Sequence, residues 1–365
     1  MIELQNFFMS MKKLSAGDWV EVRSKAEILK TLGKDGKIDG LPFMPEMFAF
    51  SGRRFQVSKR AHKTCDTVND YKGRKMKDSV HLEDLRCDGA AHAGCQAGCL
   101  LFWKQAWLKP VADGTSTTPS SGDVPVSGGV GCSEADVTAA TLLNGGPNFA
   151  CQATLLPAAT EPLPWWSPWQ YLEDLTSGNV GPWRWFKGMF YMSYKGLANA
   201  GIGLGRFMFW LYDATINLRG GFPYPRRRGL VPAGERTPGL ELNLKEGEWV
   251  RVKSYPEILA TLDMHNKNRG LYFDAEMVPF CGRTYQVLKA VTKIVNEKTG
   301  AIQEFKTQCV ILDGGVCGSR YSECRLFCPR AIYAYWREIW LERVPAPADC
   351  KTGHKHEHGH EHCKH

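Results

Sequence analysis

Cysteines are the residues of this chain with the clearest capacity for chemistry, and eight of the thirteen fall into two groups. The first group consists of Cys65, Cys87, Cys95 and Cys99, with His62 and His92 close by in sequence. The second group consists of Cys309, Cys317, Cys324 and Cys328. Thiolates and imidazoles are zinc ligands, and four thiolates also hold iron–sulfur clusters. In a reducing compartment, grouped cysteines indicate metal ligands or catalytic groups before disulfides.

The spacing within the groups matches no common metal motif. The pair Cys95-x3-Cys99 matches Cys324-x3-Cys328, but the other two cysteines of each group do not align one to one. A three-residue spacing differs from the two-residue knuckle of zinc ribbons. The alternative is that these thiols are small buried apolar side chains, as free cysteines often are. We expect one metal centre in each group, holding zinc or an iron–sulfur cluster.

The end of the chain is rich in histidine. Six of the ten histidines lie between His354 and His365, around Cys363. Such a tract cannot form a core and predicts a flexible tail that collects nickel, zinc or copper weakly. An incidental solvated tail or the remnant of a purification tag is the alternative interpretation.

The chain contains one sequence twice. Residues 17–59 and 247–289 align at a constant offset of 230 without a gap, and 22 of the 43 aligned positions are identical. The match resumes at an offset of 233, where residues 102–108 align with residues 335–341. Two copies of a unit of about 95 residues predict two domains of one fold, each large enough to bury its own core.

Local patterns predict mostly strands within each copy. Residues 19–23 alternate apolar and polar side chains, as in a half-buried strand, and Ser24-x-x-Glu27 is a capping box that begins a short helix. Glu297-Lys298-Thr299-Gly300 predicts a hairpin turn between two long strands. Residues 329–341 carry apolar side chains at helical spacing after a proline, which predicts a helix whose aromatic side chains lie mostly in the core. We therefore expect an α+β, mostly β protein with two tandem SH3-like barrels, each closed by a C-terminal helix.

The region between the repeats has two compositions. Residues 113–131 are rich in Gly, Ser, Thr and Pro, which is typical of a flexible linker. Residues 162–213 hold half of the twelve tryptophans and predict helices. The predicted segments are repeat 1 (14–110), a flexible linker (111–160), a Trp-rich helical connector (161–240), repeat 2 (241–346) and a His-rich tail (347–365).

The connector is too often interrupted by charge to span a membrane. Lys187, Lys195 and Arg206 cut its apolar runs to ten residues or fewer, whereas a span needs roughly 20. Its aromatic side chains are expected to form a core shared by the two repeats. The alternative is that the segment lies flat on a membrane surface or on a partner.

Several function classes lack their motifs. The chain contains no His-Glu-x-x-His pair, no Gly-x-Ser-x-Gly elbow and no Gly-x-x-x-x-Gly-Lys-[Ser/Thr] loop. The net charge of +8 is spread along the chain apart from Arg226–Arg228, so nucleic acid is an unlikely partner. Glu46 and Arg53 recur as Glu276 and Arg283, which we interpret as structural ion pairs. No secretory leader opens the sequence, and a cytoplasmic location is expected.

Three stretches resemble an uncharacterised family of bacterial proteins with duplicated cysteine-cluster repeats. They are residues 62–67, residues 85–89 with residues 94–99, and residues 321–333. The resemblance covers both repeats and the Trp-rich middle. It implies a bacterial origin and supplies no activity.

These observations favour a cytoplasmic metal-binding accessory or scaffold protein that binds another protein or peptide. The alternative is a metalloenzyme or iron–sulfur redox component of a bacterial biosynthetic pathway. In that case the first group, with His62 and His92 beside its thiols, would keep an open coordination position.

Overall fold

A computed structural model describes residues 13–111, 131–218, 227–321 and 325–347. The chain is a mixed α+β protein, and each repeat forms a unit around an antiparallel sheet. The first unit contains β1 (Trp19–Val22), α1 (Lys25–Thr31), β2 (Lys37–Ile38), β3 (Leu41–Pro42), β4 (Arg54–Arg60), β5 (Lys63–Cys65), β6 (Gly73–Lys75), β7 (Ser79–Leu82), β8 (Trp103–Lys104) and β9 (Leu108–Pro110). Five of these strands pair in the order β8-β7-β4-β1-β9.

The middle of the chain adds four helices and one strand. These are α2 (Glu134–Ala139), β10 (Glu161–Pro162), α3 (Trp169–Thr176), α4 (Pro182–Ala198) and α5 (Gly205–Asn217). Strand β10 pairs with β6 and extends the small β5–β6 hairpin to three strands. No helix of the described residues is both long enough and apolar enough to cross a membrane.

The second unit repeats the plan of the first. It contains β11 (Trp249–Val252), α6 (Tyr255–Leu259), β12 (Lys267–Asn268), β13 (Leu271–Tyr272), β14 (Thr284–Val295), β15 (Ile302–Leu312), β16 (Trp336–Arg337) and β17 (Leu341–Arg343). Its strands pair in the order β16-β15-β14-β11-β17, so that corresponding strands occupy the same positions as in the first sheet, β8-β7-β4-β1-β9. Both orders leave two edge strands, so the closed SH3-like barrel stays a prediction.

Local sequence determines several of these elements as predicted. Ser24 caps α1 with a capping box to Glu27, and Ser254 does the same for α6 with Glu257. Residues 296–301 connect β14 and β15 as a hairpin. The alternation in β1 buries Val20 and Val22 in the core of the first unit. These confirmed elements rest on short-range patterns.

The predicted C-terminal helix of each unit is wrong. Residues 336–343 form strand β16, a 3₁₀ turn over Glu338–Trp340 and strand β17, and residues 103–110 do the same in the first unit. Ala331 has a φ of +44°, which ends any helix begun at Pro329. Residues 336–337 hydrogen-bond to β15 and residues 341–343 to β11, so the segment completes the sheet. The predicted burial of its aromatic side chains is correct, because Trp336 and Trp340 are fully buried.

The predicted flexible linker is ordered in its second half. Residues 112–130 lie outside the described residues, whereas residues 131–160 contain α2 and pack on the first unit. Gln152 is buried there, accepts a hydrogen bond from Phe102 N and donates to Phe102 O. Apolar side chains such as Val137 and Leu156 explain this packing. The linker prediction rested on the composition of residues 113–131 and did not take these apolar positions into account.

The two units exchange contacts around one buried guanidinium. Arg330 of the second unit donates to Cys65 O and Thr67 Oγ1 of the first unit and pairs with Glu297 at 3.3 Å. Thr67 also hydrogen-bonds to Glu297, the residue that matches it at the offset of 230. Burial of a charge is tolerated only when hydrogen bonds and an opposite charge compensate it. Arg330 therefore ties the units together.

We predict that Arg330→Met lowers the free energy of unfolding by about 3–5 kcal/mol, because Glu297 and several acceptors lose a buried partner. Urea denaturation measures this loss. Arg251→Met is the matched control, since Arg251 pairs with Glu342 at the exposed surface, where solvent screens the pair and its loss should change stability far less. Equal losses in the two variants would refute the structural role of Arg330.

Candidate metal centre

One turn of the first unit carries most of the potential ligands. A 3₁₀ turn over Ala90–His92 lies between Cys87 and Cys95, and Gly89 before it has a φ of +78°. The N–H of Cys87 donates to the carbonyl of Cys99, which closes the ends of this loop. The loop lies against the 3₁₀ turn Pro45–Phe50, which carries Glu46.

Three ligand types meet at this point. Ligand atoms of Glu46, Cys87 and His92 all lie within 4.8 Å of one another, the only such group found among the described residues. The Cys87 thiol donates to Glu46 Oε1 at 3.2 Å. A carboxylate, a thiolate and an imidazole together form a plausible zinc ligand set.

Two atoms of this group have no partner. Glu46 Oε2 and His92 Nε2 are buried and find no hydrogen-bond partner among the described residues. Buried polar atoms are nearly always satisfied, and an unsatisfied one calls for a water or an ion. Buried atoms without a partner occur elsewhere in the protein, so the indication of a cation is that Glu46 and His92 each hold one and lie together with the Cys87 thiol.

More thiols surround the group. A cavity of about 40 Å³ is lined by Cys87, His92, Cys95, Cys99 and Cys151. Burial and the charge of Glu46 raise the pKa of Cys87 well above its ordinary value, and burial raises that of Cys99 to about 12. Without a cation these thiols stay protonated at neutral pH, and a metal ion would favour their thiolates.

The second cluster of thiols crosses between the units. Cys65 of the first unit interacts with Cys328 of the second, and Cys317 lies near both. The hydrogen bond with Cys328 lowers the pKa of Cys65 to about 6 against its burial, and Arg330 contributes. Cys324 lies outside the described residues, as does the His-rich tail.

Two of the predicted ligands lie elsewhere. His62 approaches Asp174 at 3.4 Å and Gln170 O, and burial with the nearby charge of Lys63 lowers its pKa to about 4. Cys309 is buried in β15, 3.3 Å from an Arg337 nitrogen. Neither side chain is part of the Glu46 group or of the cavity beside it.

The structure reveals which cysteines are equivalent. Cys87 N–H bonds Cys99 O in the first unit, and Cys317 N–H bonds Ile332 O in the second. Cys87 thus matches Cys317 at the offset of 230. Cys95 matches Cys328 at the offset of 233, since each donates to the carbonyl three residues earlier. The sequence match between the two x3 pairs is therefore not a structural one.

The two units differ in what surrounds their matching glutamates. Seven residues separate Cys87 from Cys95, whereas ten separate Cys317 from Cys328. The longer loop brings the backbone N–H groups of Arg320 and Tyr321 onto Glu276, at 2.9 and 2.6 Å. Glu46, the counterpart of Glu276, faces Cys87 and His92 instead.

Sequence reasoning missed Glu46 and Cys151. Glu46 was interpreted as the partner of Arg53, but Arg53 lies over the rings of Phe50 and Phe55. The repetition of Glu46 as Glu276 was a usable signal, because a residue kept beside a cysteine loop in both copies can serve that loop. Cys151 lies in a different stretch of the chain, and no spacing rule connects it to Cys99.

A comparison of the chain with protein-family models, with curated proteins and with solved structures found no match in any of the three.

We predict that Gly89→Ala damages the cysteine loop far more than Gly314→Ala does. Both glycines have positive φ, which costs an alanine about 1–2 kcal/mol. A Cβ at Gly89 would also lie 1.9 Å from Cys95 O, whereas one at Gly314 meets nothing within 4 Å. Urea denaturation should show an additional loss of about 1–3 kcal/mol for Gly89→Ala.

Thiol labelling gives a second measure of the same change. Gly89→Ala should increase the number of cysteines that react rapidly with a disulfide reagent, since the loop around Cys95 must shift. Equal stability losses and equal labelling in the two variants would contradict the described loop geometry.

Proposed function

We propose that this protein is a cysteine-ligated metal-binding accessory or scaffold protein whose first metal centre is built on Glu46, Cys87 and His92. The observation that carries the proposal is that ligand atoms of Glu46, Cys87 and His92 lie within 4.8 Å of one another, and that Glu46 and His92 each hold a buried atom with no partner among the described residues. A divalent cation satisfies all three groups at once. Zinc is the metal that such a mixed oxygen, nitrogen and sulfur set favours.

The fourth coordination position separates a structural role from a chemical one. A thiol of Cys95, Cys99 or Cys151, which line the adjacent cavity, would close the shell and give a structural centre. A water in that position would give an open centre that lowers the pKa of the water. The scaffold proposal takes the closed form, and the metalloenzyme is the alternative.

An iron–sulfur cluster is the second candidate, and one observation favours it. The cavity is lined by four thiols, those of Cys87, Cys95, Cys99 and Cys151. Four cysteine thiolates are the usual ligands of such clusters. In this case Glu46 and His92 would be neighbours of the centre rather than its ligands.

The wider parts of the proposal follow from the fold. Two units of one plan joined through a buried interface suit a scaffold that presents two related surfaces to a protein or peptide. We also retain the SH3-like description and the cytoplasmic location as proposals. The thiols of Cys65, Cys317 and Cys328 are proposed as a second centre that draws ligands from both units.

We predict that protein purified without oxygen contains at least one equivalent of metal per chain, and that Cys87→Ser and His92→Ala remove one equivalent. Loss of a ligand should weaken binding more than about 100-fold, since even outer partners of ligands contribute 10–100-fold. Elemental analysis measures the metal content per chain. Prior dialysis against a weak chelator removes metal that the His-rich tail binds weakly. Cys309→Ser is the control and should keep the full content.

Glutamate variants give a sharper matched test. Glu46→Gln should weaken metal binding, because the amide is a poor ligand, whereas Glu276→Gln should leave the metal content unchanged, because Glu276 binds backbone N–H groups. Competition with a chelating dye measures the two affinities. Identical affinities in the two variants would exclude Glu46 as a ligand.

The variant Cys151→Ser distinguishes a zinc centre from an iron–sulfur cluster. A zinc centre on Glu46, Cys87 and His92 leaves the protein colourless and tolerates this substitution when Cys95 or Cys99 closes the shell. An iron–sulfur cluster gives a visible absorption spectrum that the substitution abolishes. Less than one equivalent of any metal in the parent chain would refute both centres.

A further inference from the structure

The helices α4 and α5 carry an apolar face that the described residues leave exposed. On α4 the exposed large apolar side chains are Trp183, Phe186, Phe190 and Leu197, and from Leu204 through α5 they include Leu204, Phe207, Leu211 and Leu218, with Trp210 exposed as well. Both series follow the spacing i, i+3, i+7 and i+14, which places each on one side of a helix. We call these eight residues the aromatic face. Its rings are 55–68% exposed, although large apolar side chains on the connector were expected to form a core.

The opposite side of α4 is fixed to the second unit. Trp185 and Met189 pack with Leu326 and Phe327. Gly188 is so close that a Cβ there would lie 2.3 Å from the Phe327 ring. Helix α5 is held to α4 through Tyr194, which hydrogen-bonds to Met208 O. These contacts hold α4 and α5 in place and direct the aromatic face outward.

Basic residues predominate on these helices, and Asp213, the one acidic residue of α4 and α5, pairs with Arg227. No Asp or Glu occurs between Asp174 and Asp213, whereas that stretch contains Arg184, Lys187, Lys195 and Arg206. Lys187 and Arg206 are exposed, and Lys187 Nζ lies 4.9 Å from the centre of the Trp183 ring of the aromatic face. A surface that covers this face therefore meets apolar rings bordered by positive charge.

We propose that the aromatic face lies on an anionic phospholipid bilayer, with α4 and α5 in the plane of the interface. Tryptophan and phenylalanine with flanking lysine and arginine are typical of helices that rest at the boundary of headgroups and acyl chains. Basic residues near such a surface add attraction to anionic lipids. Apart from Asp213, which pairs with Arg227, the two helices hold no acidic residue that the same lipids would repel.

The test measures partition of the full chain onto vesicles. Vesicles of phosphatidylcholine with phosphatidylglycerol should bind the protein, and vesicles of phosphatidylcholine alone should bind it at least about tenfold more weakly. The variant W183S/F186S/F190S should bind about 100-fold more weakly, since burial of each ring contributes at least about a factor of five. The control L230S/L240S/M264S removes three exposed apolar side chains that lie outside α4 and α5 and should bind as the parent does.

Charge reversal separates the two contributions. K187E/R206E should lower binding to the anionic vesicles at least about tenfold and leave the weak binding to neutral vesicles unchanged. Circular dichroism identical to that of the parent ensures that each variant is folded. Binding of the triple variant equal to that of the control would overturn the proposal. So would sedimentation as a dimer that the triple variant abolishes without any vesicle binding, which would assign the face to a second copy.

Discussion

The buried guanidinium of Arg330 is the interaction on which the arrangement of the two units depends. The guanidinium belongs to the second unit and is buried at the boundary with the first. It donates hydrogen bonds to Glu297, Thr67 and Cys65 O. Each of these groups would be costly to bury alone. The ends of two hairpins, β5–β6 and β14–β15, therefore meet at one point, and both groups of thiols lie close to it.

The meeting point has an approximate twofold relation. Val295 N donates to Cys95 Sγ, so a cysteine of the first unit rests on a strand of the second. Cys65 matches Val295 at the offset of 230 and interacts with Cys328, the counterpart of Cys95. Each cysteine loop thus contacts the hairpin of the other unit. Duplication alone would allow two independent domains. These reciprocal contacts instead join the two units through a shared interface.

Sequence patterns correctly predicted the features that depend on interactions between residues close in sequence. The Ser24 and Ser254 caps, the β14–β15 hairpin and the buried Trp336 and Trp340 follow from local spacing. The same spacing misled at residues 329–341, because apolar side chains at helical intervals also suit two strands joined by a 3₁₀ turn. There the free edges of β11 and β15 decided the outcome. The grouping of Cys65 with Cys328 was beyond prediction, since it depends on how two units dock.

The three additional residues in the second cysteine loop explain why matching units differ. They allow Arg320 and Tyr321 to enclose Glu276, which satisfies that carboxylate with backbone N–H groups. The same loop presents Leu326 and Phe327, and α4 rests on them through Gly188. Lys63 of the first unit adds a third contact by donating to Leu326 O. The described residues of the longer loop thus make structural contacts with Glu276, α4 and Lys63, whereas the shorter loop of the first unit leaves Glu46 and His92 with buried atoms that no described residue satisfies. For this reason metal binding is to be tested first at Cys87. We interpret the second loop as the support that holds the helices bearing the aromatic face in place.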